Sequence, residues 1–86
     1  MDRQSVLSRI GNPPVLQKLP IVELAGHSRV LIENHMGVLA YSLEEIQIKV
    51  SFGKVQVVGC ALKIMQLSKE QMVICGQIDS VQLFRR

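Results

Sequence analysis

From Ile21 onward, apolar and polar side chains alternate along the chain, and this pattern limits the fold more than any other feature of the sequence. Side chains of a strand alternate between two faces, so a period of two is typical of half-buried strands. Glycine, serine and asparagine interrupt the alternation roughly every 8–12 residues. We therefore predict an all-β chain, a small antiparallel β-sandwich of about seven short strands over residues 21–86. Residues 1–20 are expected to be a partly ordered N-terminal arm.

The segment from Val30 to Ser42 is predicted to be a β-hairpin. Two alternating apolar segments flank Glu33, Asn34 and His35, and the polar run closes on Gly37. Asparagine and glycine accept the positive φ that tight turns require. By similar reasoning, turns are predicted at Gly59 and at Gly76-Gln77, the latter a two-residue turn. The first three predicted strands cover Ile21–Ala25, Arg29–Glu33 and Val38–Tyr41.

Two segments of the chain resemble each other weakly. Val55–Met65 and Met72–Gln82 both place alternating aliphatic residues before a glycine and resume them after it. Two copies of a hairpin explain this repetition as well as a solenoid does. Because solenoids need about three repeats to bury a core, a β-solenoid is the minority alternative for the fold.

Composition excludes several classes of protein. A hydrophobic content of 48% argues against disorder, and no run approaches the ~18 apolar residues of a membrane span. The net charge is +3, but the basic residues are scattered and only Arg85-Arg86 forms a pair. Nucleic-acid-binding proteins usually concentrate positive charge and add stacking aromatics. Nucleic acid is therefore disfavoured, and a small basic nucleic-acid-binding β-barrel is the alternative reading.

No catalytic residue, metal ligand or cofactor is predicted. His35 beside Glu33 could act as a general base, but side chains in such a turn more often bond loop backbone. A zinc site from His27, His35, Cys60 and Cys75 lacks the close ligand pairs of known sites. Both cysteines instead alternate with aliphatic residues, which predicts reduced, buried thiols.

Sheet edges and one exposed turn are the candidate contact surfaces. A small sandwich has edge strands, which can pair with a partner or with a second copy of the chain. Lys49, Lys54 and Lys63 are expected to guard these edges against unspecific pairing. Met36, an apolar residue in a turn, either folds back onto the sheet or marks a contact surface.

Several short motifs resemble the YabP/YqfC family of sporulation proteins, and within it the YqfC branch. The resemblance covers nearly the whole chain, and Met36, Cys60 and Gln77 depart from it. It rests on Leu19-Pro20, Ile32-Glu33-Asn34-His35, Gly37-Val38-Leu39, Gly53, Val57-Val58-Gly59, Leu62-Lys63-Ile64 and Gly76-Gln77-Ile78-Asp79-Ser80.

The resemblance implies a non-enzymatic β-sandwich protein that acts as a binding or assembly module during endospore formation. A membrane protein of the YqfD type is the implied candidate partner. The expected location is cytoplasmic and peripheral at a sporulation membrane. The turn Glu33–Gly37 is the candidate contact site, and Gly76, Gln77, Ile78, Asp79 and Ser80 form the second family-like motif.

Overall fold

The computed structural model describes residues 19–86, which form six antiparallel strands and no helix. The prediction of an all-β chain is confirmed. The strands form one open sheet in the order β1-β2-β6-β5-β4-β3. Their bounds are β1 Ile21–Ala25, β2 Arg29–Glu33, β3 Val38–Tyr41, β4 Glu45–Val50, β5 Gly53–Leu67 and β6 Gln71–Arg85.

The two long strands, β5 and β6, take part in two different halves of the sheet. The β1–β2 half-sheet contains β1, β2, residues 71–75 of β6 and residues 63–67 of β5. The β3–β4 half-sheet contains β3, β4, residues 53–58 of β5 and residues 80–85 of β6. Each half therefore has four strand segments, and the sheet bends where β5 and β6 pass from one half to the other.

Glycines at the bend let the two long strands approach each other closely. The register of β5 against β6 shifts on both sides of Cys60, and Ala61 has a φ of 53°. A Cβ added to Gly59 would lie 1.9 Å from the Gln77 carbonyl oxygen, and one added to Gly76 would lie 2.6 Å from the Ala61 carbonyl oxygen. Only glycine fits at these two positions, since no side chain can share space with a backbone oxygen.

One hydrophobic core is shared by the two halves. Burial of each aliphatic side chain contributes about 1.5–3 kcal/mol, so the core holds the two halves together. Strands β2 and β6 supply residues from the first half, and β4 and β5 supply residues from the second. The cluster consists of Val30, Ile32, Ile46, Ile48, Val50, Val55, Val57, Leu62, Met72, Ile74 and Ile78.

The predicted hairpin over Val30–Ser42 is wrong, although its two strands have the predicted bounds. β2 pairs with β1 and β6, whereas β3 pairs with β4. The segment between them is a connection from one half of the sheet to the other. The alternation of apolar residues identified both strands but carried no information on their partners.

The predicted turns at Gly59 and Gly76-Gln77 are also wrong, because both lie inside continuous strands. The structure has six strands rather than about seven short ones, and two of the six are 15 residues long. The six strands form one sheet rather than the two separate sheets of a sandwich. The repetition between Val55–Met65 and Met72–Gln82 reflects two neighbouring bent strands, not the stacked repeats of a solenoid. The predicted arm, residues 1–20, lies outside the described residues except for Leu19 and Pro20.

Candidate functional site

The connection from β2 to β3, residues 34–37, is held by backbone hydrogen bonds to both halves of the sheet. The Asn34 amide donates to the Glu70 carbonyl at 2.6 Å, and the Met36 amide donates to the Lys49 carbonyl at 2.7 Å. Asn34 adopts a φ of 63° and Gly37 a φ of 115°. The Asn34 side chain also donates through Nδ2 to the Leu19 carbonyl at 2.8 Å. This segment therefore ties the chain before β1, the β5–β6 turn and β4 together.

His35 uses both ring nitrogens to bond backbone. Its Nδ1 accepts a hydrogen bond from the Gly37 amide at 3.1 Å. A neutral imidazole that accepts at Nδ1 carries its proton on Nε2. Nε2 therefore donates to the Ser68 carbonyl at 2.9 Å. Because both nitrogens are engaged, this arrangement leaves neither free to act as a general base.

Met36 is the exposed apolar residue of the connection, with 57% of its surface accessible. It lines a shallow groove of about 360 Å³ together with Asn34, His35, Ser51, Lys69 and Glu70. Glu33 is half-buried at the end of β2, where it lies opposite Ile21 and Gln71. Asn34, His35 and Met36 of the predicted contact site thus line one groove, and the apolar side chain of Met36 is exposed to solvent.

The second family-like motif, Gly76 to Ser80, lies at the bend of β6. Strand β6 here receives the β1–β2 turn: the Gly76 amide donates to the Ser28 carbonyl and the Ile78 amide to the His27 carbonyl. Ile78 is buried in the core, whereas Gln77, Asp79 and Ser80 are exposed. The motif shapes the bend and lies apart from the 34–37 connection.

The four residues considered for zinc do not assemble. Within residues 19–86, no group of three histidine, cysteine, aspartate or glutamate side chains is placed to hold a metal ion. Cys60 is exposed and its Sγ contacts Gln77 Oε1 at 3.6 Å, while Cys75 is half-buried. The expectation of buried thiols is therefore wrong for Cys60.

The exposed large hydrophobic residues follow the edges of the two half-sheets. Each half-sheet has two edges: β1 and residues 63–67 of β5 in one, β3 and residues 80–85 of β6 in the other. Of Lys49, Lys54 and Lys63, only Lys63 lies on an edge, so the expectation that all three guard edges is wrong. The exposed apolar residues on the edges are Ile21, Leu24, Val38, Leu39, Tyr41, Met65, Leu67, Leu83 and Phe84.

β3 differs from the other three edges in having no charged residue. All four of its side chains are exposed, and the flanking Met36 and Leu43 are 57% and 66% accessible. Each of the other edges contains an acidic or basic residue, namely Glu23, Lys63 and Arg85. The uncharged run from Met36 to Leu43 is visible in the sequence, but nothing in the sequence shows that it forms an edge.

Residues 19–86 thus form a small all-β domain with exposed apolar residues along its strand edges. No helix long and apolar enough to cross a membrane occurs among residues 19–86. The chain belongs to the YabP family, whose sequence pattern matches residues 17–86.

A curated relative supports this membership. The uncharacterized protein YqfC of Bacillus subtilis (strain 168) is 30% identical over 70 residues, which cover 81% of this chain and 75% of that protein. No solved structure matches the chain. Family membership indicates a sporulation-related protein.

Proposed function

We propose that the protein is a non-enzymatic assembly module of endospore formation that binds a membrane-associated protein through the β3 edge. The proposed partner is a membrane protein of the YqfD type. The proposed location is the cytoplasmic side of a sporulation membrane. The observation that carries this proposal is the uncharged edge strand Val38–Tyr41, all four of whose side chains are exposed.

An edge strand offers unpaired backbone donors and acceptors to a strand of another chain. Folded proteins usually protect such edges with charged side chains or proline, and β3 has neither. A β-bulge also discourages edge pairing, and β3 has one register shift, between Val38 and Ala40. Exposed apolar side chains at Leu39 and Tyr41 would add buried area once a partner strand pairs with it.

A second copy of the chain is the alternative occupant of this edge. Two β3 strands from different copies could pair by the same backbone groups and bury the same side chains. Association with the YqfD-type partner and self-association are distinguished by measuring the protein alone and then in the mixture.

The matched variants Ala40→Lys and Ala25→Lys test the β3 edge. Both alanines are exposed and lie on edge strands, β3 and β1 respectively. A lysine at residue 40 places a charge where the partner strand would dock, and we expect at least about tenfold weaker binding. The same change at residue 25 should leave binding unchanged.

Light scattering of the purified protein, alone and with the soluble part of the YqfD-type protein, gives the readout. A complex of defined mass that Ala40→Lys abolishes and Ala25→Lys retains would support the proposal. A wild-type protein that stays monomeric in both samples, or a complex that both variants weaken equally, would overturn it.

A further inference from the structure

Four basic residues, Lys49, Lys54, Arg85 and Arg86, line one groove of the β3–β4 half-sheet. Lys49 lies directly opposite Lys54, and Lys54 lies directly opposite Phe84, so the three residues share one face. The groove has a volume of about 370 Å³, and Leu39, Arg85 and Arg86 complete its walls. Lys49 and Lys54 are distant from Arg85 and Arg86 in the sequence. The sequence therefore does not show that these basic residues lie together.

The charge of this groove is of one sign. Four of the seven lysines and arginines in residues 19–86 line it, and none of its lining residues is acidic. Two other grooves of the described residues each combine one basic and one acidic side chain: Arg29 with Glu23, and Lys69 with Glu70. Positive charge is therefore more concentrated in this groove than in either of the other two.

The groups that Lys54 and Arg86 contact directly are uncharged. Lys54 Nζ lies 5.4 Å from the centre of the Phe84 ring and 3.2 Å from Gln47 Oε1, both uncharged groups. Arg86 is held by backbone, since its amide donates to the Phe52 carbonyl and its Nη2 to the Ser51 carbonyl. Like charges directly opposite each other in a sheet are destabilising. An anion bound between Lys49 and Lys54 would remove this repulsion.

Apolar side chains lie among the cations. Leu39 is 54% exposed and Phe84 is 39% exposed, and both line the groove. Basic residues around exposed leucine and phenylalanine are the combination that peripheral proteins present to an anionic membrane surface. The basic groups attract phosphate head groups while the apolar ones enter the boundary with the acyl chains.

We propose that this groove binds the head groups of anionic phospholipids and holds the β3–β4 half-sheet against a membrane. Each basic residue near an anionic surface contributes about 1 kcal/mol. This contact is with lipid and goes beyond the proposed function, which concerns a protein partner at the β3 edge. The two surfaces adjoin, so a membrane-bound domain would present β3 close to the bilayer.

The groove fits phospholipid better than nucleic acid, the other common polyanion. Single-stranded nucleic acids bind through successive bases stacked on several aromatic rings. Phe84 is the one aromatic residue in this groove, and Lys54 already lies over its ring. Nucleic-acid binding is therefore an outcome of the test rather than part of the proposal.

The test is flotation of the full chain with vesicles of phosphatidylcholine, either alone or containing phosphatidylglycerol. The variant Lys49→Gln/Lys54→Gln removes two charges that the strand register places on the groove's face, and Lys63→Gln/Lys69→Gln removes two charges elsewhere. We expect binding only to the anionic vesicles and about thirtyfold weaker binding for the groove variant, the equivalent of two surface cations. The control variant should bind like the wild type.

A second pair of variants tests the apolar part of the contact. Leu39→Ser should weaken vesicle binding, whereas Leu67→Ser, at a similarly exposed leucine on another edge, should not. Absence of binding to anionic vesicles, or equal loss in both charge variants, would overturn the proposal. Binding to an oligonucleotide with no binding to vesicles would overturn it in favour of nucleic acid. Because no protein partner is present, these results are independent of the assembly experiment.

Discussion

The two family-like motifs of this chain, residues 33–37 and residues 76–80, stabilise the fold in different ways. The first is an exposed connection held by hydrogen bonds to backbone, with side chains of Asn34 and His35 as the donors and acceptors. The second is a bend inside a long strand, where Gly76 is required because there is no space for a side chain. The comparison teaches that motif residues can be required for their bonds in one place and for their small size in another.

Replacement of Gly76 by alanine is expected to have the largest effect. Its φ is 142° and the new Cβ would lie 2.6 Å from the Ala61 carbonyl oxygen. Strain and the backbone displacement together should lower the free energy of unfolding by at least about 3 kcal/mol. Urea titration followed by circular dichroism measures this loss.

Gly26→Ala is the matched control for this prediction. Gly26 also has positive φ, at 58°, but nothing lies within 4 Å of an added Cβ. The control should lose only about 1–2 kcal/mol, the cost of the left-handed conformation for alanine. Equal losses in the two variants would contradict the conclusion that crowding at the bend selects glycine.

Asn34→Ala tests the hydrogen bonds of the 34–37 connection, and we expect an effect of intermediate size. Alanine loses the bond to the Leu19 carbonyl and tolerates a φ of 63° poorly. We expect a loss of about 1–2 kcal/mol in the free energy of unfolding. Asn34→Gly keeps the backbone freedom and should recover roughly half of it. If the glycine variant is as unstable as the alanine variant, the hydrogen bond is the dominant contribution.

His35→Ala is expected to have the smallest effect of the series. The variant leaves the Ser68 carbonyl and the Gly37 amide without their side-chain partner, although water reaches this exposed site. A loss of about 1 kcal/mol should lower the melting temperature by about 4–8 °C. His27→Ala, at an exposed histidine in the β1–β2 turn, serves as the control and should melt like the wild type. An unchanged melting temperature for His35→Ala would contradict its bridging role.

Much of the strand content could be predicted from the sequence. β1, β2 and β3 have the predicted bounds, since a short alternating segment between polar or glycine residues has few other conformations. The bends at Gly59 and Gly76 could not be predicted. Glycine serves both a tight turn and a bend inside a strand, and the residues around it look alike in the two cases.

Strand pairing could not be predicted from the sequence either, because alternation identifies a strand but not its partner. The predicted hairpin over Val30–Ser42 assumed that neighbouring strands pair, as they often do. Here the 34–37 connection instead crosses between the two halves of the sheet. The hydrogen bonds from Asn34 to Glu70 and from Met36 to Lys49, both distant in sequence, are what make the crossing stable.

By itself, the sequence determined that this chain forms β-strands and which family it belongs to. These properties depend on local alternation and on short motifs. Only the tertiary structure decided which strands lie at edges and which charges lie together. Strand pairing joins residues that are far apart in the chain. Among residues 19–86, it leaves β3 with a neighbouring strand on one side only, and it brings Lys49 and Lys54 beside Arg85 and Arg86.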